Sequence, residues 1–419
     1  MQKGFKKIGL GLVAVGLSIV LLLTAAIPVC EAGPAAEKVV RIGLHGCYTG
    51  ALAATGVPFG YATMDYVKYI NEQGGLNGVK LEVIWEETGR APVVQELIAH
   101  KRFVERGAVV ECSIICGGVE VCAPSLKRNK VPMALITAAS EAMVTKPVPW
   151  VFAAEASLPD AGAVISKALK EELFPEKRMR LGVMIYDHLS GWSATEGIKW
   201  ACEHLDMDIV GFEVVPFLGA LDATTEWLRL AEKKPDIVVL IICGASLATC
   251  IKDSVRLEIK EKDIEIFHCN YCLEEYIPVV GADAVEGWYT YQWNPTSVEA
   301  GLPGMKAVFE AAKRNRGWEP EDIPAIYIKC WIQTAIMVEG IRLALGKVGF
   351  EHLTGSAVRE GLASIKDFDA GGLMPPISMD NSHPYWSRSV RLFQIREGEM
   401  WPLSGRRHEY YGLAGDWYK

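Results

Sequence analysis

The sequence has few histidines, and it lacks the short motifs that mark common catalytic and phosphate-binding sites. Its eight histidines are scattered over 419 residues, and no His-Glu-x-x-His zinc motif occurs. The segment 244–248 lacks the final glycine of a nucleophile elbow. The spacing from Gly340 to Lys347 is too long for a phosphate-binding loop. The sequence therefore predicts neither an enzyme nor a cofactor.

Clusters of positive charge are also missing. The 43 lysines and arginines are outnumbered by 51 aspartates and glutamates, which gives a net charge of -8. Nucleic-acid-binding proteins carry basic patches that neutralise phosphates. The sequence therefore predicts no nucleic-acid partner.

A long hydrophobic run is present at the N-terminus. Lys3, Lys6 and Lys7 precede an almost uninterrupted apolar stretch over residues 8–27, which is typical of a secretory signal peptide. We predict a signal peptide over residues 1–32, and hence a periplasmic protein. Cleavage after Ala26 is one alternative, and a retained anchor is another, because about 20 apolar residues can span a bilayer.

The eleven cysteines include one in this leader, Cys30. Val29 precedes it where a lipoprotein signal places a small residue, so a lipid anchor at Cys30 is disfavoured. The others could pair outside the cytoplasm. Several lie in apolar runs such as 113–116 and 237–243, where a thiol behaves as a small buried hydrophobe. We expect one or two disulfides at most.

A metal site is considered at His268, Cys269 and Cys272, three potential ligands within five residues. Zinc usually takes four ligands, often as two such pairs, and the second pair is not evident. The sequence therefore predicts no metal.

The mature chain alternates short apolar runs with amphipathic stretches, the pattern of an α/β protein with parallel sheets. One such block extends over residues 39–155 and a second over 156–286. From Gly287 onward the pattern changes to one aromatic strand and long helices. Two successive sheets of similar size predict two lobes.

Two strand-to-helix junctions of the first block are suited to ligand binding. Cys116, Gly117 and Gly118 follow the strand predicted over 109–115, and the segment 137–140 follows the strand over 133–136. Ligands of open α/β sheets bind at the carboxyl ends of strands, near helix N-termini that favour anions. The two junctions together favour a grip on a carboxylate.

Several segments resemble a known family in their order and spacing. They are Ile42-Gly43 through Thr49-Gly50, then Ile70-Asn71-Glu72-Gln73-Gly74-Gly75-Leu76-Asn77-Gly78, then Ala123-Pro124, Tyr186-Asp187 with Gly191, and Pro235-Asp236. Over nearly the whole mature chain the sequence resembles the type I periplasmic binding proteins, typified by the leucine/isoleucine/valine-binding proteins of ABC transporters.

This resemblance implies two Rossmann-like α/β lobes joined by three crossovers, which close over a ligand like a Venus flytrap. It assigns residues 39–155 and 287–370 to the N-terminal lobe, and 156–286 and 371–419 to the C-terminal lobe. It implies a monomer that delivers a small molecule to an ABC permease in the membrane. A sensor module of the same fold is the alternative.

The resemblance also implies site residues. Cys116, Ala138 and Ser140 align with positions that bind the amino-acid carboxylate, and Ala139 lies between two of them. Ser190 stands where the family has a tyrosine, and Asn270 where it has the acidic partner of the ammonium. A neutral amide cannot compensate a desolvated ammonium as a carboxylate does. Glu274 and Glu275 could substitute for it.

Aromatic residues on or beside the expected cleft loops complete the predicted site. They are Tyr48, Trp192, Tyr271 and Trp293, and Ala245 is included at a further helix start. Aromatic faces suit planar or apolar ligands. The predicted ligand is a small carboxylate, aromatic or branched, with branched-chain amino acids second.

Overall fold

The computed structural model describes residues 37–89, 92–138, 140, 150–155, 157–217, 219–269, 273–382 and 384–412. The signal peptide predicted over residues 1–32 lies outside these ranges. In the described part of the chain, no helix is both long enough and apolar enough to cross a membrane.

The strands and helices alternate along most of the chain. Strands β1 to β13 are, in order, Val39–Gly46, Lys80–Glu87, Ala108–Ser113, Met133–Ala138, Val151–Glu155, Met179–Tyr186, Met207–Val215, Ile237–Ile241, Glu265–His268, Tyr289–Gln292, Ser389–Arg396, Glu399–Pro402 and His408–Glu409. Helices α1 to α11 are Ala53–Glu72, Pro92–Glu105, Cys116–Asn129, Leu158–Glu172, Leu189–His204, Thr224–Glu232, Ala245–Arg256, Ile277–Val280, Met305–Arg316, Ala325–Val348 and Gly355–Ala363.

The first lobe contains a five-stranded parallel sheet in the order β2-β1-β3-β4-β5. Helix α10 packs on α1 and α11 in this lobe and also contacts β4. Every residue of β5 is buried, as expected for a parallel strand covered on both faces.

The second lobe contains an eight-stranded sheet in the order β12-β11-β10-β9-β8-β6-β7, with β13 paired to β11. Strands β6 to β10 are parallel, whereas β11 is antiparallel to both β10 and β12. Strands β11, β12 and β13 were not predicted from the sequence. The predicted architecture of two α/β lobes is confirmed.

The structure corrects two boundaries between the lobes. Strand β10 pairs with β9 and β11 of the second lobe, so the chain returns to the first lobe after β10 and not at Gly287. The final crossing comes after residue 387 and not at 371. Ser387 still lies beside β5, since its N–H donates to the carbonyl of Ala154 at 2.8 Å. An isolated aromatic strand could not reveal which sheet it extends.

Two glycines allow α4 and α5 of the second lobe to pack in close contact. A Cβ on Gly162 would overlap the carbonyl oxygen of Ala194, and one on Gly197 would overlap that of Pro159. Ser157 caps α4, accepting the N–H of Asp160 at 3.1 Å, a typical N-cap arrangement. This packing fixes the N-termini of both helices beside the cleft.

Candidate functional site

A cavity of about 80 Å³ lies where the two lobes meet. The first lobe contributes residues from α1, the segment after β3, α3, β4 and α10. The second lobe contributes residues from α4, β6, α5 and the segments after β7 and β8. We call it the cleft cavity, and its lining is Leu52, Thr55, Ile114, Ile115, Cys116, Ile136, Thr137, Leu158, Tyr186, His188, Ser190, Phe217, Cys243, Ile326 and Lys329. A single water needs about 10–15 Å³ by the same measure, so the cavity admits a small organic molecule.

The N-termini of α3 and α5 converge on this cavity from opposite lobes. Cys116 is the first residue of α3, and its thiol interacts with Ser140 and with Ser190 of α5. Helix N-termini present unpaired N–H groups and a partial positive charge. The two N-termini therefore direct partial positive charge at the cavity from both lobes, with the first N–H groups of α5 bonded to His188.

An aromatic stack forms the second-lobe wall. The ring of His188 is stacked on Phe217 with centroids 4.3 Å apart, and on Tyr186 at 5.4 Å. His188 also caps α5, since its Nδ1 accepts the N–H of Ser190 at 3.2 Å. Burial lowers the pKa of His188, so the ring is neutral at neutral pH. The wall suits a flat apolar ligand.

The thiols in the lining are protonated as well. Burial raises the pKa of Cys116 to about 12 and the pKa of Cys243 to about 12. None of the described residues that line the cavity is an aspartate or glutamate. The described wall therefore does not repel an anion.

Lys329 brings a positive charge to this wall. It lies on α10, one turn after Ile326, and its side chain is fully buried. Its ammonium lies 6.0 Å from the ring centroid of Trp293. Lys329 was not among the site residues predicted from the sequence. The sequence feature that marks it is a lone lysine within the apolar run of residues 325–332.

Three glutamates outside the described lining interact electrostatically with Lys329: Glu155 and Glu275 are buried, and Glu274 is half-buried. Glu155 ends β5, and Glu274 accepts the N–H of Ala325 at the start of α10. Burial raises the pKa of Glu155 to about 8, of Glu274 to about 7 and of Glu275 to about 8, while the charge of Lys329 works in the opposite direction. Glu274 is thus a helix cap between lobes and does not line the cavity.

This acidic cluster predicts that the protein loses stability as pH rises from about 5 to about 8. An unfolded glutamate has a pKa near 4.5 and is already ionised there, whereas the buried carboxyls still hold protons. The folded state then binds more protons, so the free energy of unfolding falls with pH. Thermal unfolding midpoints followed by circular dichroism test this. Glu155→Gln should flatten the dependence, and a midpoint that rises with pH would contradict it.

The structure brings only part of the predicted site together. Cys116 and Ser190 line the cleft cavity, and Ser140 adjoins Cys116. Gly117 faces the second lobe, because a Cβ there would lie 3.1 Å from Nε2 of His188. Gly118 packs on Glu96 of α2. Ala138 is buried at the end of β4 and does not line the cavity.

The aromatic residues predicted for the site are mostly placed elsewhere. Tyr48 packs edge-on against Trp85 with centroids 5.1 Å apart. Trp192 is 44% exposed, and its Nε1–H donates to Asp187 at 3.0 Å. Trp293 is buried beside Trp386 and approaches the cavity only through Lys329.

The other residues predicted for the site lie outside the cavity lining or outside the described residues. Ala245 starts α7 and is exposed outside the cavity, while its neighbour Cys243 lines it. Ala139, Asn270 and Tyr271 lie outside the described residues. The described cysteines carry free thiols, at Cys47, Cys112, Cys116, Cys122, Cys202, Cys243, Cys250, Cys269 and Cys330.

Two α/β lobes with a ligand-sized cleft between them define a bilobal binding protein. The sequence model of the periplasmic binding protein family matches residues 39–399. The chain therefore belongs to this family. A search of the curated proteins finds no match.

Solved structures share the fold at low sequence identity. A branched-chain amino acid ABC transporter protein from Thermus thermophilus with bound valine has a TM-score of 0.78 at 20% identity, covering 91% of this chain and 100% of its own. An R. palustris solute-binding protein with benzoate has a TM-score of 0.74 at 15% identity, covering 89% and 97%. Another from R. palustris, with 4-hydroxybenzoate, has 0.74 at 17% identity, covering 90% and 99%.

Proposed function

We propose that this chain is the extracytoplasmic solute-binding protein of an ABC importer and that it binds a small carboxylate with an apolar body in the cleft cavity. The observation that carries the proposal is the joint lining of that cavity by the N-termini of α3 and α5, one from each lobe. A ligand that bridges them stabilises the closed arrangement, since it contacts both lobes only there.

The neighbours support the ligand class. Valine, benzoate and 4-hydroxybenzoate, the ligands of the three similar structures, share a carboxylate and an apolar body. In this chain Ile114, Ile115 and Phe217 provide apolar surface, and burial of apolar area stabilises binding by about 25 cal/mol per Å². The protein acts as a monomer that is exported by its signal peptide and delivers its ligand to a membrane permease.

Isothermal titration calorimetry of the exported protein tests this function. We expect at least one of benzoate, 4-hydroxybenzoate, valine and leucine to bind with a dissociation constant of roughly 1 μM or lower. Benzamide, which has the same ring as benzoate but no charge, should bind at least about tenfold more weakly than benzoate. If none of the four carboxylates binds, the proposed ligand class is wrong.

A further inference from the structure

We infer that Lys329 is the specificity-determining residue of the cleft cavity and selects carboxylates that lack an α-ammonium group. This inference rests on the proposed function, which it narrows to one chemical class of ligand. Its basis is the position and burial of Lys329 and the composition of the wall around it.

The Lys329 side chain is buried inside the protein. A desolvated ammonium is costly unless an anion or strong acceptors compensate it. Lys329 is fully buried, yet helix α10 could have placed an apolar residue there, as it does at Ile328 and Ile332. A charge kept inside a ligand-sized cleft is characteristic of a functional residue.

The residues around Lys329 in the described cavity lining are uncharged or apolar. Among the described lining residues, Lys329 is the one amine and none is a carboxylate. Burial lowers the pKa of His188 and raises the pKa of the Cys116 and Cys243 thiols, so these three side chains are neutral at neutral pH. An incoming carboxylate finds a cation and the N-termini of α3 and α5. An ammonium finds no carboxylate in that wall and meets a like charge, which is repulsive in a medium of low dielectric constant.

The glutamates that interact with Lys329 lie outside the described cavity lining. Glu274 is engaged at the N-terminus of α10, and Glu275 faces the backbone of Ile326. Both therefore complete the contact between the second lobe and α10 and are not directed at the ligand. Glu155 is buried at the end of β5, next to Tyr410. The three carboxyls interact electrostatically with Lys329, and Ile326 and Lys329 both line the cavity.

The test compares benzoate, benzamide and valine by calorimetry on the wild type and on Lys329→Met. We expect the wild type to prefer benzoate to benzamide and valine. The variant should bind benzoate about 10- to 100-fold more weakly, the loss of one charge-assisted contact, with benzamide affinity unchanged. The ratio of benzoate affinity to benzamide affinity should therefore fall in the variant. General destabilisation of the protein would not change this ratio. Lys329→Arg should retain a preference for benzoate, and it serves as the second variant if Lys329→Met does not fold.

Lys347→Met is the matched control, because Lys347 lies on the same helix but is exposed and pairs with Glu360 at 2.9 Å. It should bind like the wild type. Equal benzoate affinity in the wild type and Lys329→Met would overturn the inference while leaving the proposed function intact. Tighter binding of valine than benzoate to the wild type would also overturn it. Failure of every carboxylate would instead reject the proposed function.

Discussion

Replacement of Glu111 by alanine is expected to destabilise the protein by about 3–5 kcal/mol, the usual result of removing one partner from a buried ionic network. Glu111 lies on β3 and is fully buried between two histidines. Its carboxylate is 2.9 Å from Nε2 of His45 and 2.9 Å from Nδ1 of His100. Although burial opposes the charged form, these hydrogen bonds lower the pKa of Glu111.

The loss is large because the buried His45 depends on Glu111 to compensate its charge. Burial opposes that charge, but Glu96 and Glu111 outweigh it and raise the pKa of His45 to about 10. Without Glu111, the imidazolium retains one carboxylate partner, Glu96, at 3.0 Å. Either it stays charged and poorly compensated or it loses its proton at neutral pH, and both outcomes lower the free energy of unfolding.

The same network reaches the cleft cavity. The hydroxyl of Ser113 donates to Glu96 at 3.0 Å and accepts the N–H of Ile115 at 2.9 Å. Ile115 precedes α3 and lines the cavity. Glu111→Ala should therefore weaken ligand binding as well as lower the free energy of unfolding.

Urea unfolding followed by tryptophan fluorescence measures the change in stability. Glu82→Ala is the control, because Glu82 forms an exposed ion pair with Arg41 at 2.7 Å in the same lobe. Exposed pairs contribute about 0.2–1 kcal/mol. Equal losses in the two variants would show that the buried network does not stabilise the first lobe.

Gly117→Phe is expected to prevent closure of the cleft and to weaken ligand binding by roughly 100-fold. Gly117 is half-buried in the first turn of α3, and a Cβ there would lie 3.1 Å from Nε2 of His188 in the second lobe. A phenyl group needs space that the His188 ring occupies. Each lobe keeps its own core, so the variant should fold but remain open.

Small-angle X-ray scattering with and without benzoate tests the closure, and calorimetry tests the affinity. The variant should show a larger radius of gyration than the wild type, and benzoate should not reduce it. Gly301→Phe is the control, since a Cβ at Gly301 has nothing within 4 Å. A Gly117→Phe protein that closes and binds like this control would show that the contact with His188 does not limit closure.

Most of the fold was predictable because parallel strands of an α/β protein are continuous apolar runs. Strand β8, Ile237–Ile241, is buried at every position, and its uninterrupted apolar run of β-branched and aliphatic residues is typical of such a strand. Strands β11 to β13 escaped prediction because β12 and β13 are only four and two residues long and all three follow a long irregular segment. Strand β11 pairs with β10, which is far from it in sequence, and β12 and β13 pair with β11.

The site was predictable only where local sequence determines position. Cys116 and Ser190 follow strands directly, so the strand-to-helix junction itself carries them to the cleft. Tyr48 also follows a strand, but Gly46 and Gly60 leave room for its ring, which turns away from the cavity toward Trp85. The pattern of polar and apolar residues does not reveal whether the Tyr48 ring points toward the cavity or toward Trp85.

The sequence by itself indicated two α/β lobes through local periodicity and the family through the order and spacing of its motifs. It also placed a strand-to-helix junction at Cys116, because that junction follows from neighbouring elements. Only the tertiary structure decided which face of α10 meets the cleft. That helix is apolar almost all round, and seventeen of its residues are buried, so its periodicity does not mark a ligand-facing side. Its packing against α1 and α11 sets its rotation, and this rotation brings Lys329 to the cavity.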